Sequence, residues 1–174
     1  MEKVRDEVLE TMLKDYKPLY RFLKEAEYES KLKVYGTFQV PKNWFYQGNS
    51  DFGHFTDTER VFCFNQMCYI LFVEGFERGE IPDAPKLTMK EIYELQAHSS
   101  YLVESNNIKY TKPIVSTDPF KGKIEVANTF TKKDGEILFL DIAFDFEQGK
   151  ATGQSRVCII LRDLQKRAYA RQPG

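Results

Sequence analysis

One apolar segment limits the folds open to this chain of 174 residues. Between Val61 and Val73 almost every residue is apolar, and the polar interruption is the pair Asn65-Gln66. A helix that is apolar on all sides must be surrounded by other parts of the protein, and this one falls short of the roughly 20 apolar residues of a membrane span. The sequence therefore predicts a buried helix at about residues 57–75, begun by the capping-box string TDTE at residues 56–59.

Strands fill much of the remaining sequence. Five segments have the composition of strands, at residues 31–40, 109–115, 123–131, 136–146 and 151–161. The turn dipeptides Asp134-Gly135 and Gln148-Gly149 separate the last three segments, which therefore predict an antiparallel meander over about residues 121–162. Helical spacing of apolar residues predicts an N-terminal helix at about residues 2–28 and a further helix from Thr88 towards His98.

These elements predict an α+β architecture in which an antiparallel sheet of about five strands wraps round one buried helix. Such an arrangement is typical of the hotdog fold. Because no repeat or low-complexity linker divides the sequence, we expect a single hotdog domain over residues 1–174.

Composition excludes several classes of function. Lys and Arg total 25 against 26 Asp and Glu, and this balance argues against binding nucleic acid or a membrane surface by charge alone. The charged N-terminus is unlike a signal peptide, and three Cys without a CxxC string predict neither disulfides nor a zinc site. Two distant His offer no metal cluster, and no nucleotide-binding glycine motif occurs. We therefore expect a cytoplasmic protein without metal or cofactor.

The start of the buried helix is the place where the sequence predicts chemistry. His54 lies just before it, where unpaired backbone N–H groups and the positive end of the helix dipole would polarise a thioester carbonyl. The imidazole of His54 has an ordinary pKa of about 6.5 and would transfer protons beside that carbonyl. The alternative is that His54 is an ordinary polar residue of a loop.

Other polar residues near this point also have two interpretations each. Glu59 is either a general acid or base, or only the glutamate of the capping box. Asn65, an amide in an apolar helix, needs a hydrogen-bond partner, which is either substrate or a structural partner in a neighbouring strand. Tyr46, and more weakly Tyr16, either donates a hydroxyl to substrate in an acyl tunnel or covers one end of the sheet.

The string GHFTDTERVFCFNQMCY at residues 53–69 resembles the signature of the FcoT-like fatty-acyl thioesterase family. These hotdog proteins act on thioesters of coenzyme A or acyl-carrier protein. The likeness extends back through VYGTF at residues 34–38 to Asp15-Tyr16, and it implies that Tyr16, Tyr46 and Asn65 are site residues. It also implies substrate contacts along the motif, from Gly53, Phe55 and Thr56. Thr56 stands where better-known members have a second asparagine.

Some relatives in this family act in the biosynthesis of isonitrile lipopeptides and β-amino-acid-primed macrolactams. There the resemblance implies conjugate addition of glycine to an α,β-unsaturated acyl thioester, followed by thioester hydrolysis. His54 would deprotonate the glycine and Arg60 would hold its carboxylate; the alternative is an Arg60 that faces solvent. More distant hotdog dehydratases have a carboxylate near the position of Asn65.

The resemblance also implies partners. Hotdog sites usually lie where the helix start of one subunit meets its neighbour, so we expect a homodimer or higher homo-oligomer with a shared pocket. The substrate would be an acyl-carrier-protein or coenzyme A thioester, with glycine as a second substrate. Two alternatives stay open: a simple long-chain acyl thioesterase, and a non-catalytic module that binds an acyl-carrier protein.

Overall fold

A computed structural model describes residues 1–30, 32–42 and 55–162 of the chain. Three α-helices lie in these ranges: α1 Asp6–Leu13, α2 Asp57–Arg78 and α3 Met89–Ala97, with a short 3₁₀ helix at Pro18–Tyr20. Seven strands accompany them: β1 Glu2–Lys3, β2 Leu23–Glu29, β3 Lys33–Phe38, β4 Tyr101–Tyr110, β5 Phe120–Lys132, β6 Ile137–Phe146 and β7 Ala151–Ile160.

All seven strands belong to one antiparallel sheet in the order β1-β2-β3-β5-β6-β7-β4. The predicted meander is confirmed as β5-β6-β7, and its turns carry left-handed backbone at Gly135 and Gly149, each with φ of 87°. The sheet has seven strands where the sequence predicts about five, because β1 and β2 extend one side. Strand β4 forms the opposite edge, where its outer side has no partner strand within the described ranges.

The predicted helix over residues 2–28 is wrong beyond its first part. Helix α1 ends at Leu13, and β2 follows with Leu23, Ala26 and Tyr28 buried and the charged residues between them exposed. Lys and Glu on the exposed side of β2 favour a helix locally, but pairing with β1 and β3 decides the structure. In place of the strand predicted at residues 109–115, the structure has β4, which lies earlier in the chain and ends at Tyr110.

Helix α2 is the longest helix and its predicted start and burial are confirmed. It packs against α1, α3, β2, β3 and β5, and it ends at Gly79, whose φ of 69° closes the last turn. That the sheet wraps round α2 as a single central helix stays a prediction, because α1 and α3 also pack on α2. No helix in the described part of the chain has both the length and the apolar character needed to cross a bilayer.

Gly153 on β7 shows how tightly the sheet is packed beneath the start of α2. A Cβ atom at this position would overlap the carbonyl oxygen of Asn107 on β4 and the ring of Phe144 on β6. The Phe144 ring lies 5.6 Å from that of Phe64 on α2. Glycine at position 153 therefore lets an aromatic ring fill the space between sheet and helix.

We expect Gly153→Ala to lower the free energy of unfolding by about 2 kcal/mol, because the added methyl group must displace a backbone oxygen or a core ring. Urea unfolding followed by circular dichroism measures the change. Thr152→Ala is the control, since Thr152 points to the opposite face of the same strand. A Gly153→Ala protein as stable as the parent would contradict this packing.

Candidate functional site

The start of α2 is fixed by Thr56 and Glu59. The Glu59 carboxylate is buried and accepts hydrogen bonds from the backbone N–H and the hydroxyl of Thr56, the latter over 2.6 Å. This contact is the one the capping-box interpretation predicts, and it holds a negative charge at the positive end of the helix. A catalytic role for Glu59, or substrate contact by Thr56, stays a prediction.

Phe55 anchors the chain just before α2. Its ring lies 5.1 Å from the rings of both Phe120 and Phe146, and its backbone N–H donates to the carbonyl of Ile114 over 2.9 Å. The side chain of Phe55 therefore belongs to the aromatic core of the sheet. Its contact with substrate stays a prediction.

Arg60 does not face solvent, so that alternative is wrong. Its side chain is 2% exposed, and its Nε and Nη2 donate to Oδ1 of Asp57 over 3.0 and 2.8 Å. The guanidinium also lies 5.6 Å from the centre of the Phe144 ring. The hydroxyl of Tyr110 donates to the same Asp57 oxygen over 3.5 Å. Burial and the Asp57 carboxylate raise the pKa of Tyr110 to about 12.

The two amides inside α2 have different surroundings. Gln66 is fully buried and both ends of its amide are used: Oε1 accepts from the Leu23 N–H over 2.9 Å, and Nε2 donates to the Tyr20 carbonyl over 2.6 Å. Asn65 is half-buried, and its Oδ1 accepts from the Tyr101 hydroxyl of β4 over 3.3 Å. The structure therefore supplies the neighbouring-strand partner that was one of the two alternatives for Asn65.

Three tyrosines gather around Asn65. The ring of Tyr69, one helical turn further along α2, lies 6.4 Å from that of Tyr16 and 5.5 Å from that of Tyr101. Burial raises the pKa of all three phenols, most strongly at Tyr16 and Tyr101, so their hydroxyls stay protonated. We call Tyr16, Asn65, Tyr69 and Tyr101 the tyrosine–amide cluster.

A small apolar cavity of about 10 Å³, enough for about one water molecule, lies beside the cluster between α2 and α3. Its lining residues are Tyr69, Phe72, Phe76, Ile92, Leu95, Gln96, Tyr101 and Ile159. The cluster therefore lies next to apolar side chains of α2, α3 and β7.

The structure brings together only some of the predicted site residues. Asn65 and Tyr16 share the tyrosine–amide cluster, while Thr56, Glu59 and Arg60 lie at the start of α2. His54, Gly53 and Tyr46 lie outside the described residues. Tyr69 and Tyr101 were not predicted; the spacing of four residues from Asn65 could have indicated Tyr69, whereas Tyr101 is brought in by β4.

Comparison with solved structures defines the class of fold. A candidate thioesterase from Shewanella oneidensis aligns over 90% of this chain and 99% of its own, with a TM-score of 0.53 at 9% identity. A hypothetical thioesterase protein of Streptococcus pneumoniae, solved with coenzyme A, covers 78% of this chain and 84% of its own at 12% identity and a TM-score of 0.45. The fold is that of the hotdog thioesterases.

The sequence comparison gives the family. The FcoT-like thioesterase domain matches residues 11–159, and the chain belongs to this family. A (2E)-enoyl-[ACP] glycyltransferase of Mycobacterium marinum is 23% identical over 141 residues, which is 77% of this chain and 74% of that protein. The family resemblance predicted from residues 53–69 is thereby confirmed.

The tyrosine cluster predicts how stability changes at alkaline pH. The pKa values of Tyr16, Tyr69 and Tyr101 are higher in the folded chain than the usual value of about 10 in an unfolded chain. The stability that comes from their neutral forms is complete below pH 10 and is lost as the pH rises above it. We therefore expect these phenols to ionise only when the fold opens.

Absorbance of phenolate at 295 nm, followed together with far-ultraviolet circular dichroism, measures this. In urea all tyrosines should titrate near pH 10, whereas in the native chain part of the absorbance should rise only with loss of helix signal. Complete titration near pH 10 with an unchanged dichroism spectrum would contradict the burial of the cluster.

Proposed function

We propose that this chain is an enzyme that acts on acyl thioesters of a carrier protein or coenzyme A. In its full form, the reaction is conjugate addition of glycine to an α,β-unsaturated acyl thioester, followed by hydrolysis. The observation that carries the proposal is Asn65, a half-buried amide on a buried helix, in a chain of the FcoT-like thioesterase family. The glycine step is supported by the similarity to the Mycobacterium marinum protein, which is a (2E)-enoyl-[ACP] glycyltransferase.

The proposed steps use polar groups around the thioester carbonyl. His54 takes a proton from the glycine ammonium, the amine nitrogen bonds to the β-carbon, and the α-carbon gains a proton. Donors at the start of α2 and the amide of Asn65 stabilise the negative oxygen that forms during this step. Water then attacks the carbonyl, and the thiol leaves as the β-amino acid is released. Tyr46 and Tyr16 donate hydroxyls along the acyl chain.

Arg60 is proposed to hold the glycine carboxylate. In the structure the guanidinium of Arg60 binds Asp57. The Asp57 side chain is 61% exposed and is therefore able to move away. A carboxylate from glycine would take the place of the Asp57 oxygen in a charge-assisted pair. Gly53, Phe55 and Thr56 are proposed to contact the substrate, and Glu59 to keep the helix start in place while serving as a secondary acid or base.

We further propose that the site is shared between two copies. Helices rise about 1.5 Å per residue, so Asn65 lies about 13 Å along the axis of α2 from Thr56. Within one copy this separates Asn65 from the helix start, although both groups are needed at the same thioester. A second copy would supply its own helix start to the Asn65 of the first.

Strand β4 is the edge at which we place the second copy. Its Leu102 is 51% exposed and Val103 41% exposed, and an edge strand offers unpaired backbone groups with which another chain can pair. Tyr101, at the first position of β4, hydrogen-bonds Asn65. A copy paired along β4 would therefore lie beside the strand that carries Tyr101, and we propose that the homodimer completes the pocket.

The activity is tested with an enoyl thioester of an acyl-carrier protein, incubated with and without glycine. We expect free β-amino acid carrying the mass of glycine, and we expect His54→Ala to lower the rate by about 10²- to 10⁴-fold because the base is lost. His98→Ala is the matched control, because His98 is exposed at the end of α3 and is not among the proposed site residues. Mass spectrometry of the released acids gives both results.

Other outcomes separate the alternatives. A free acid without the glycine mass would reject the addition and leave a simple thioesterase. Binding of the acyl-carrier protein without any turnover, unchanged in His54→Ala and Asn65→Ala, would favour a non-catalytic binding module.

A further inference from the structure

The side chain of Asn65 is held from one end only. Its Oδ1 accepts from the Tyr101 hydroxyl over 3.3 Å, and within the part of the chain that the structure describes this is the hydrogen bond that its amide makes. The neighbouring Gln66 differs, because both of its amide ends bond backbone groups. An amide fixed through its oxygen presents its two N–H donors in the other direction.

Tyr101 is itself held firmly enough to act as a fixed donor. Its ring packs 5.5 Å from that of Tyr69 and 5.4 Å from that of Phe72, both on α2. Its backbone is fixed by pairing with Ile159 of β7, and the Ile160 N–H donates to the preceding carbonyl of Ser100 over 2.8 Å. Tyr101 therefore cannot follow Asn65 if the amide turns.

The hydroxyl of Tyr101 is also suited to donate rather than to exchange protons. It lies against the thiol of Cys68, and burial raises its pKa well above the usual value of 10. It therefore stays neutral across the working pH range of an enzyme. A group that keeps its proton can orient a neighbour but cannot serve as a general base.

We propose that Tyr101 is a positioning residue that turns the amide of Asn65, so that its N–H donors face the substrate oxygen. This inference rests on the proposed function and deepens it, because it identifies the residue that directs the N–H donors of Asn65 towards the substrate. It also makes β4 part of the site, since the first residue of that strand sets the geometry of a group on α2. Tyr69 completes the packing that holds the Tyr101 ring.

Tyr101→Phe tests the proposal, because it removes the hydroxyl and keeps the ring. We expect kcat to fall about tenfold, in line with the loss of one oriented hydrogen bond, with KM changed by less than about twofold. In an Asn65→Ala background the same change should have no further effect on kcat. Equal losses in both backgrounds would overturn the proposal, because a purely structural role of Tyr101 does not depend on Asn65.

A second readout does not depend on activity. The side-chain amide of Asn65 gives a pair of cross-peaks in a ¹⁵N–¹H spectrum, assigned by their loss in Asn65→Ala. We expect this pair to shift in Tyr101→Phe and to stay in place in Tyr93→Phe, a control whose hydroxyl instead donates to Asp15 over 2.8 Å. An unshifted pair in Tyr101→Phe would overturn the positioning role.

The two readouts also separate this inference from the proposed function. A parent protein without turnover on any acyl thioester would reject the function, while the cross-peaks would still decide whether Tyr101 orients Asn65. Turnover by the parent protein with Tyr101→Phe fully active would reject the inference alone.

Discussion

The burial of α2 is the constraint from which the rest of the structure follows. Most of α2 is buried against α1, α3 and the sheet, so each of its buried polar side chains needs a partner within the protein. Thr56 donates to the carboxylate of Glu59, and the backbone groups of Leu23 and Tyr20 bond the two ends of the Gln66 amide. Asn65 departs from this pattern, since only its oxygen is bonded within the described ranges. That incomplete satisfaction of a half-buried amide is the physical basis for placing chemistry there.

Sequence reasoning succeeds where one pattern dominates a segment. The apolar run of α2 and the turn glycines at positions 135 and 149 predict their elements because no competing period is present. It fails for β2, where Lys and Glu on the exposed side favour a helix until the neighbouring strands pair with it. It fails again for β4, which is exposed along most of its length and so has no alternation to detect.

In the candidate site, too, the contacts between residues close in sequence could be predicted and the long-range contacts could not. Residues at the start of α2 follow from a local motif, and the contact between Thr56 and Glu59 is a property of four consecutive residues. The contact between Tyr101 and Asn65 joins residues 36 positions apart and depends on the register of β4 against β7. Local patterns do not contain that register. For the same reason Arg60, whose partner is local but whose burial comes from the sheet, could be assigned to solvent from the sequence.

The proposed site requires the helix start of one copy to work with Asn65 of another. Subunit complementation tests this directly: His54→Ala protein and Asn65→Ala protein, each with greatly reduced activity, are mixed and allowed to exchange subunits, with native mass spectrometry confirming the mixed dimer. If the pocket is shared, each mixed dimer holds one intact site and the mixture regains about a quarter of the parent rate. A mixture that exchanges fully and gains no activity over the separate variants would show that each copy works alone.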